Sequence, residues 1–230
     1  MLYQNLFFPD VTNGYYNYDQ SIQVLRDPGS DSFYFWSAQF GVGSSTGYMG
    51  LQTDTLSNNG QNIGKGFNVA LWGSDTARVE APGAEIRPDT DGEPGRALYM
   101  PYEWQEGREY RLRIWQAGEQ DGGFWWEFWV LDKVTEVDTH IGDILRKDKS
   151  YINNNPVLWT EYYGVGRDNP CDSPVRKPES VKFLNPIMNN DGDRPGSGTL
   201  PERSTLNPPG CPNYSIEQFP VYSCIQSVNI

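Results

Sequence analysis

Apolar and polar residues alternate with period two along most of the chain, and a 3.6-residue period is not sustained. Segments 15–25, 32–40, 47–53, 66–73, 77–80, 109–116, 124–131, 139–145, 157–163 and 180–186 read as strands. Turn-forming runs separate them, such as Asp27-Pro28-Gly29, Asn58-Asn59-Gly60 and Asp121-Gly122-Gly123. Segment 141–149 could pass for a short helix, but Gly142 and its brevity weaken that reading.

The alternation also assigns faces. In 109–116, Tyr110, Leu112 and Ile114 point one way as predicted core, and Arg111, Arg113 and Trp115 point the other. In 66–73, Phe67, Val69 and Leu71 are core, while Asn68, Ala70 and Trp72 share the opposite side. Segment 124–131 is aromatic on both sides: Phe124, Trp126, Phe128 and Val130 against Trp125, Glu127, Trp129 and Leu131. Such a strand is central and covered on both faces. Glu127 suggests that the second side is a lined groove, with Arg111 or Arg113 to offset the cost of burying a carboxylate.

Many short strands at regular spacing predict an all-β fold, a two-sheet antiparallel β-sandwich or jelly roll. From about residue 189 the alternation fails. Segment 189–212 is rich in Gly, Pro, Asn and Asp and reads as a long loop, and 214–230 as an edge strand or a strap. With no internal repeat and no second core, residues 1–190 form one β-sandwich domain, and 191–230 an extension packed on it.

Composition narrows the function classes. Of 230 residues 14% are aromatic, so the core must be built largely from Trp, Tyr and Phe. The net charge of −12, from 30 acidic and 18 basic residues, disfavours nucleic acid and anionic membrane surfaces as partners. No apolar run approaches the roughly 20 residues of a membrane span. The first ten residues lack the basic and apolar regions of a secretory signal, yet the Asn-, Gly- and aromatic-rich composition favours an extracellular protein whose signal has been removed. Cys171, Cys211 and Cys224 allow a Cys211–Cys224 bridge, a Cys171 bridge to either, or three reduced thiols. No Cys-x-x-Cys exists and His140 is the single histidine, which argues against a Cys/His zinc site or a histidine-based triad.

Several runs resemble one family, the secreted bacterial domain of unknown function 3472. They are Phe33-Tyr34-Phe35-Trp36-Ser37-Ala38-Gln39-Phe40, then Gly47-Tyr48-Met49-Gly50-Leu51-Gln52-Thr53 and Phe67-Asn68-Val69-Ala70-Leu71-Trp72-Gly73. Further on come Pro101-Tyr102-Glu103-Trp104, Gly107-Arg108-Glu109-Tyr110-Arg111-Leu112 and Trp159-Thr160-Glu161-Tyr162-Tyr163, so that the likeness covers roughly residues 15–190. The resemblance implies an extracellular, concanavalin-like sandwich. Its members often sit beside polysaccharide-active modules, which implies glycan binding; it supplies no catalytic residues. The family often carries a cysteine just before the proline-tyrosine block. Leu98, Tyr99 and Met100 stand there in this chain, so Cys171 lacks that partner.

Three constellations carry candidate chemistry. The first is one polar-aromatic sheet face made of Tyr48, Gln52, Asn68, Trp72, Arg111, Arg113, Trp115, Trp125, Glu127, Trp129, Trp159 and Glu161. Flat indoles stack on the C–H faces of sugars, and planar polar groups bond their hydroxyls. The bland alternative is that these tryptophans are core or are covered by loops. The second is the carboxylate pair Glu127 and Glu161, which on one face would suit glycoside hydrolysis; the alternative is two structural carboxylates bonded to Arg111 and Arg113. The third is calcium, bound by Asp89, Asp91 and Glu93 or by Asn189, Asp191 and Asp193, against ordinary Asx-rich turns. His140 is assigned no special role. The sequence thus predicts a lectin-like sandwich binding a polysaccharide or other glycan. The alternatives are a glycan-cleaving hydrolase or lyase using Glu127 and Glu161, and a structural protein that self-associates through exposed aromatics.

Overall fold

The computed structural model describes residues 1–12, 14–90, 93–164, 176–189, 198–207, 213–220 and 222–229. Among them there is no helix, so no helix is long and apolar enough to cross a membrane. The strands are β1 (Leu2–Phe7), β2 (Asn17–Arg26), β3 (Tyr34–Val42), β4 (Ser45–Gln52), β5 (Gly66–Trp72), β6 (Thr76–Val79), β7 (Glu85–Thr90) and β8 (Glu93–Pro101). They continue with β9 (Glu109–Gln120), β10 (Gly123–Asp132), β11 (Val137–Arg146), β12 (Val157–Tyr162), β13 (Glu179–Met188), β14 (Arg203–Asn207), β15 (Tyr214–Phe219) and β16 (Ser223–Val228).

Two eight-stranded antiparallel sheets pack face to face, as the period-two pattern predicts. The first runs β14-β1-β12-β3-β4-β5-β8-β7 and the second β15-β16-β13-β2-β9-β10-β11-β6. Segment 141–149 is not helical; its first part lies in β11. Of segment 214–230, Tyr214–Phe219 and Ser223–Val228 pair as β15 and β16, added to the second sheet beside β13.

One large apolar core fills the space between the sheets. Met49, Leu51, Phe67, Val69 and Leu71 come from one sheet, and Leu112, Ile114, Trp126, Phe128 and Val130 from the other, each on the face its strand's alternation predicts. Three indoles are almost wholly buried, Trp36, Trp104 and Trp126. Trp36 meets Trp104 edge to face at 5.3 Å, the geometry aromatic quadrupoles favour. Trp104, from the β8–β9 connection, donates its Nε1–H to the Gln52 carbonyl at 2.8 Å and so fixes the end of β4.

Cys224 is a free thiol buried in this core, where burial pushes its pKa to about 12. The bridges proposed from Cys224 are therefore excluded. Cys171 and Cys211 lie outside the described residues.

Candidate functional site

The outer face of the first sheet carries a second, smaller aromatic cluster of Phe35, Tyr48, Ala70, Ala97 and Trp159. Phe35 lies edge-on to Tyr48 at 5.3 Å and to Trp159 at 5.2 Å, and Tyr48 edge-on to Trp72 at 5.3 Å. Over this floor opens a cleft of about 690 Å³, within the range of small-ligand sites. Gln52, Asn68, Arg87, Tyr99, Glu161 and Tyr163 supply its polar lining.

Strand register sets the spacing of these groups. Glu161 on β12 stands opposite Phe35 on β3, and Phe35 opposite Gln52 on β4. A carboxylate and a carboxamide thus occupy one cross-strand row, two strands apart, with the Phe35 ring between them. At the usual strand spacing their Cα atoms are about 10 Å apart. Arg87 lies farther along the sheet, in the row of Ala97, Ala70 and Tyr48.

Several polar atoms of this cleft are buried without a hydrogen-bond partner: Gln52 Oε1, Asn68 Oδ1, Trp159 Nε1, and Nε and Nη2 of Arg87. An unsatisfied buried donor or acceptor costs about 1–3 kcal/mol, and such groups call for an explanation. A concentration of them in one cleft, offering donors and acceptors together, suits a ligand that carries both.

Asp54 also lines the cleft but is structural. One carboxylate oxygen accepts from the Asp31 N–H and Asn62 Nδ2, the other from the Ser32 and Phe33 N–H groups and Thr53 Oγ1, all within 2.7–2.9 Å. Burial works to raise its pKa, but these donors outweigh it and hold the carboxyl below its ordinary value. It anchors the turn in which Asp31 and Phe33 adopt φ of 55° and 54°. Near the other end of the row, burial and then the Glu161 charge raise the pKa of the Tyr3 phenol.

The twelve residues predicted to share one face are divided between two. Tyr48, Gln52, Asn68, Trp72, Trp159 and Glu161 lie on the outer face of the first sheet. Arg111, Arg113, Trp115, Trp125, Glu127 and Trp129 lie on the outer face of the second, because β9 and β10 pair with β2 and β11 and not with β4, β5 or β12. The whole sandwich therefore separates Glu127 from Glu161, and they cannot act as a pair. Nor do Arg111 and Arg113 hold them: both arginines approach Asp19, at 3.1 and 3.8 Å, and Arg113 also pairs with Asp138.

Sequence reasoning missed a polar network on the second sheet's outer face. His140 stacks on Trp129 at 4.1 Å and its Nε2 lies 2.7 Å from Asp143 Oδ1. Asp143 also pairs with Arg78, whose guanidinium covers Trp125 at 4.7 Å. Glu127, His140 and Asp143 place one ligand-type atom each within 4.8 Å of one another, the closest approach to a metal-binding group among the described residues. Both Asp143 oxygens already have partners, Arg78 on one and the His140 ring on the other. The register Glu127↔Asp143 and Trp129↔His140 creates it, and no local motif announces it.

The loops predicted to hold calcium fall mostly outside the description. The backbones of Asp89 and Glu93 belong to the β7–β8 hairpin, while Asp91, Asp191 and Asp193 lie outside the described residues. Asn189 uses its Oδ1 to accept the Tyr16 N–H at 2.9 Å.

No protein-family model matches the chain, and no curated protein does. Solved structures do. The chain is similar to scytalido-glutamic peptidase bound to a transition state analog inhibitor, with a TM-score of 0.51 and 9% identity over 100% of this chain and 97% of that one. A second structure of scytalido-glutamic peptidase, with a peptide based transition state analog, gives 0.50 and 8% over the same shares. These likenesses show a shared fold. They overturn the expectation of a carbohydrate-binding protein, since both of these structures, which share the fold over the full chain, are of a peptidase. The division of the twelve residues removes the single groove on which that expectation stood.

Proposed function

We propose that this protein hydrolyses peptide bonds in the cleft on the outer face of its first sheet, with Glu161 as general base and acid and Gln52 as the group that holds the oxyanion. The observation that carries this reading is the cross-strand row Glu161–Phe35–Gln52 in an open cleft. A peptide laid across the Phe35 ring would have its scissile carbonyl between a carboxylate and a carboxamide. Glu161 draws a proton from a water molecule as the water attacks the carbonyl carbon, and the Gln52 amide N–H bonds the oxygen as it gains charge. Glu161, now protonated, passes that proton to the departing amine nitrogen, and the carboxylate is restored.

Two further features support the reading. The unpaired polar atoms around the row include acceptors on Gln52 and Asn68 and donors on Trp159 and Arg87, and an extended peptide backbone needs both kinds. The neighbours in fold are named as glutamic peptidases, and a glutamate stands in the cleft here. Positioned acid–base groups contribute about 10²–10⁴-fold to rate, and an oxyanion donor about 10²–10³-fold.

The test is digestion of a diverse peptide mixture in ¹⁸O-enriched water over a wide pH range, read by mass spectrometry. The expected result is new C-termini carrying one solvent oxygen, with a loss of about 10²-fold or more in Gln52→Ala. An uncut mixture at every pH would overturn the proposal.

A further inference from the structure

Arg87 is the unexplained cation of the cleft. Arg78, Arg108, Arg111, Arg113, Arg146, Lys65, Lys147 and Lys149 each pair with a carboxylate, whereas among the described residues none pairs with Arg87. Its guanidinium lies 4.0 Å from the centre of the Tyr99 ring, which holds the plane in place, and its Nε and Nη2 are buried with no acceptor. In a chain of net charge −12, a guanidinium lining this cleft with two buried nitrogens unmet is the point where an anionic group would be held. A planar fork of N–H donors matches a carboxylate in two parallel bonds.

Deepening the peptide-hydrolase reading and resting on it, we infer that Arg87 forms a binding subsite for a substrate carboxylate, from an Asp or Glu side chain or a free peptide C-terminus. Its place in the sheet sets the distance from the bond that is cut. Arg87 stands three strands from β4 and four residues along from the Gln52 row, roughly 20 Å between Cα atoms. After allowance for the reach of the arginine side chain, the carboxylate lies about four to six extended residues from the scissile carbonyl. The subsite therefore selects substrates at a distance and takes no part in the chemistry.

The experiment uses the full chain as Glu161→Gln, so that peptides are held and not cut. Immobilised protein is offered two random ten-residue peptide pools, one amidated and one with free C-termini, and the retained peptides are sequenced by mass spectrometry. At least tenfold enrichment of Asp and Glu in the amidated pool indicates the side-chain source. Enrichment confined to the free-terminus pool indicates the chain end. Either enrichment should disappear in Glu161→Gln/Arg87→Gln and persist in part in Glu161→Gln/Arg87→Lys. Comparing an enriched peptide with its Asp→Asn or amidated counterpart needs no Arg87 variant, so misfolding of one cannot hide the answer. Equal retention of acidic and neutral peptides, no retention at all, or enrichment unchanged by Arg87→Gln overturns the inference. Carboxylate-selective retention by a protein that cuts nothing as wild type would sink the hydrolase reading and leave the subsite standing. Cutting without carboxylate preference would do the reverse.

Discussion

Glu179 sits on an inward row of β13 with its carboxyl fully buried between the sheets. It accepts the Trp36 Nε1–H at 2.8 Å, while its other oxygen has no partner. Burial raises its pKa to about 8 from an ordinary 4.5, against the opposing hydrogen bonds from Trp36 and the Val228 backbone. Because the folded value lies above the unfolded one, the native state keeps a proton that the unfolded chain has lost between about pH 4.5 and 8. Stability from this group therefore falls as pH rises through that window, by up to about 1.4 kcal/mol per pH unit. Glu179→Gln should melt at a temperature close to wild type at pH 4 and several degrees higher at pH 8. Calorimetry showing the same pH slope in both proteins would contradict this account. The sequence reading leaves Glu179 one position before strand 180–186 and assigns it no role, because the pattern of one strand does not reveal that Trp36, 143 positions away, meets it across the core.

At the scale of elements, alternation within a strand reports which side chains go inward and says nothing about which sheet the strand joins. That is why Leu112, Ile114, Phe67 and Val69 were legible as core, while the outward residues of β9–β10 and of β4, β5 and β12 were merged into one face. Strands β7 and β8 escaped notice because Pro88, Pro94, Gly95 and Pro101 punctuate them. A proline is tolerated in β7 because it is an edge strand, and at Pro94 and Pro101 because they lie near or at the ends of β8. β1 was hidden by a polar residue at an inward position: Gln4 is fully buried and donates to the Tyr222 carbonyl at 3.2 Å. The candidate row was half legible, since Gln52 and Glu161 were both singled out but Phe35 between them was not. Close packing under that row leads to a further prediction. A Cβ on Gly50 would lie 2.2 Å from the Trp36 carbonyl oxygen and 2.7 Å from the Phe35 ring. Backbone cannot yield there, so Gly50→Val should lower stability by roughly 1–3 kcal/mol in denaturant titration. It should also displace Phe35 and impair peptide cleavage beyond the loss explained by unfolding. A variant as stable and active as wild type would contradict the assigned floor of the cleft.

As a whole molecule, the sandwich keeps two outer faces with different roles apart. On the second sheet, carboxylates and arginines neutralise one another, with Asp19 serving Arg111, Arg113 and the Trp115 indole together. On the first sheet, Gln52 Oε1, Asn68 Oδ1, Trp159 Nε1 and two nitrogens of Arg87 meet in one cleft with no hydrogen-bond partner. Apolar packing between the sheets carries the fold, so either face can vary without unmaking it. Structures of 9% and 8% identity share the architecture. Removing one carboxylate from each face tests this division and the assignment of chemistry together. The decisive measurement is kcat/KM for cleavage of one peptide selected from a digested mixture, compared among wild type, Glu161→Gln and Glu127→Gln at matched thermal stability. The account predicts a loss of about 10³-fold or more in Glu161→Gln and a change of less than about twofold in Glu127→Gln. Wild-type rates in Glu161→Gln, or an equal loss in both variants, would contradict it.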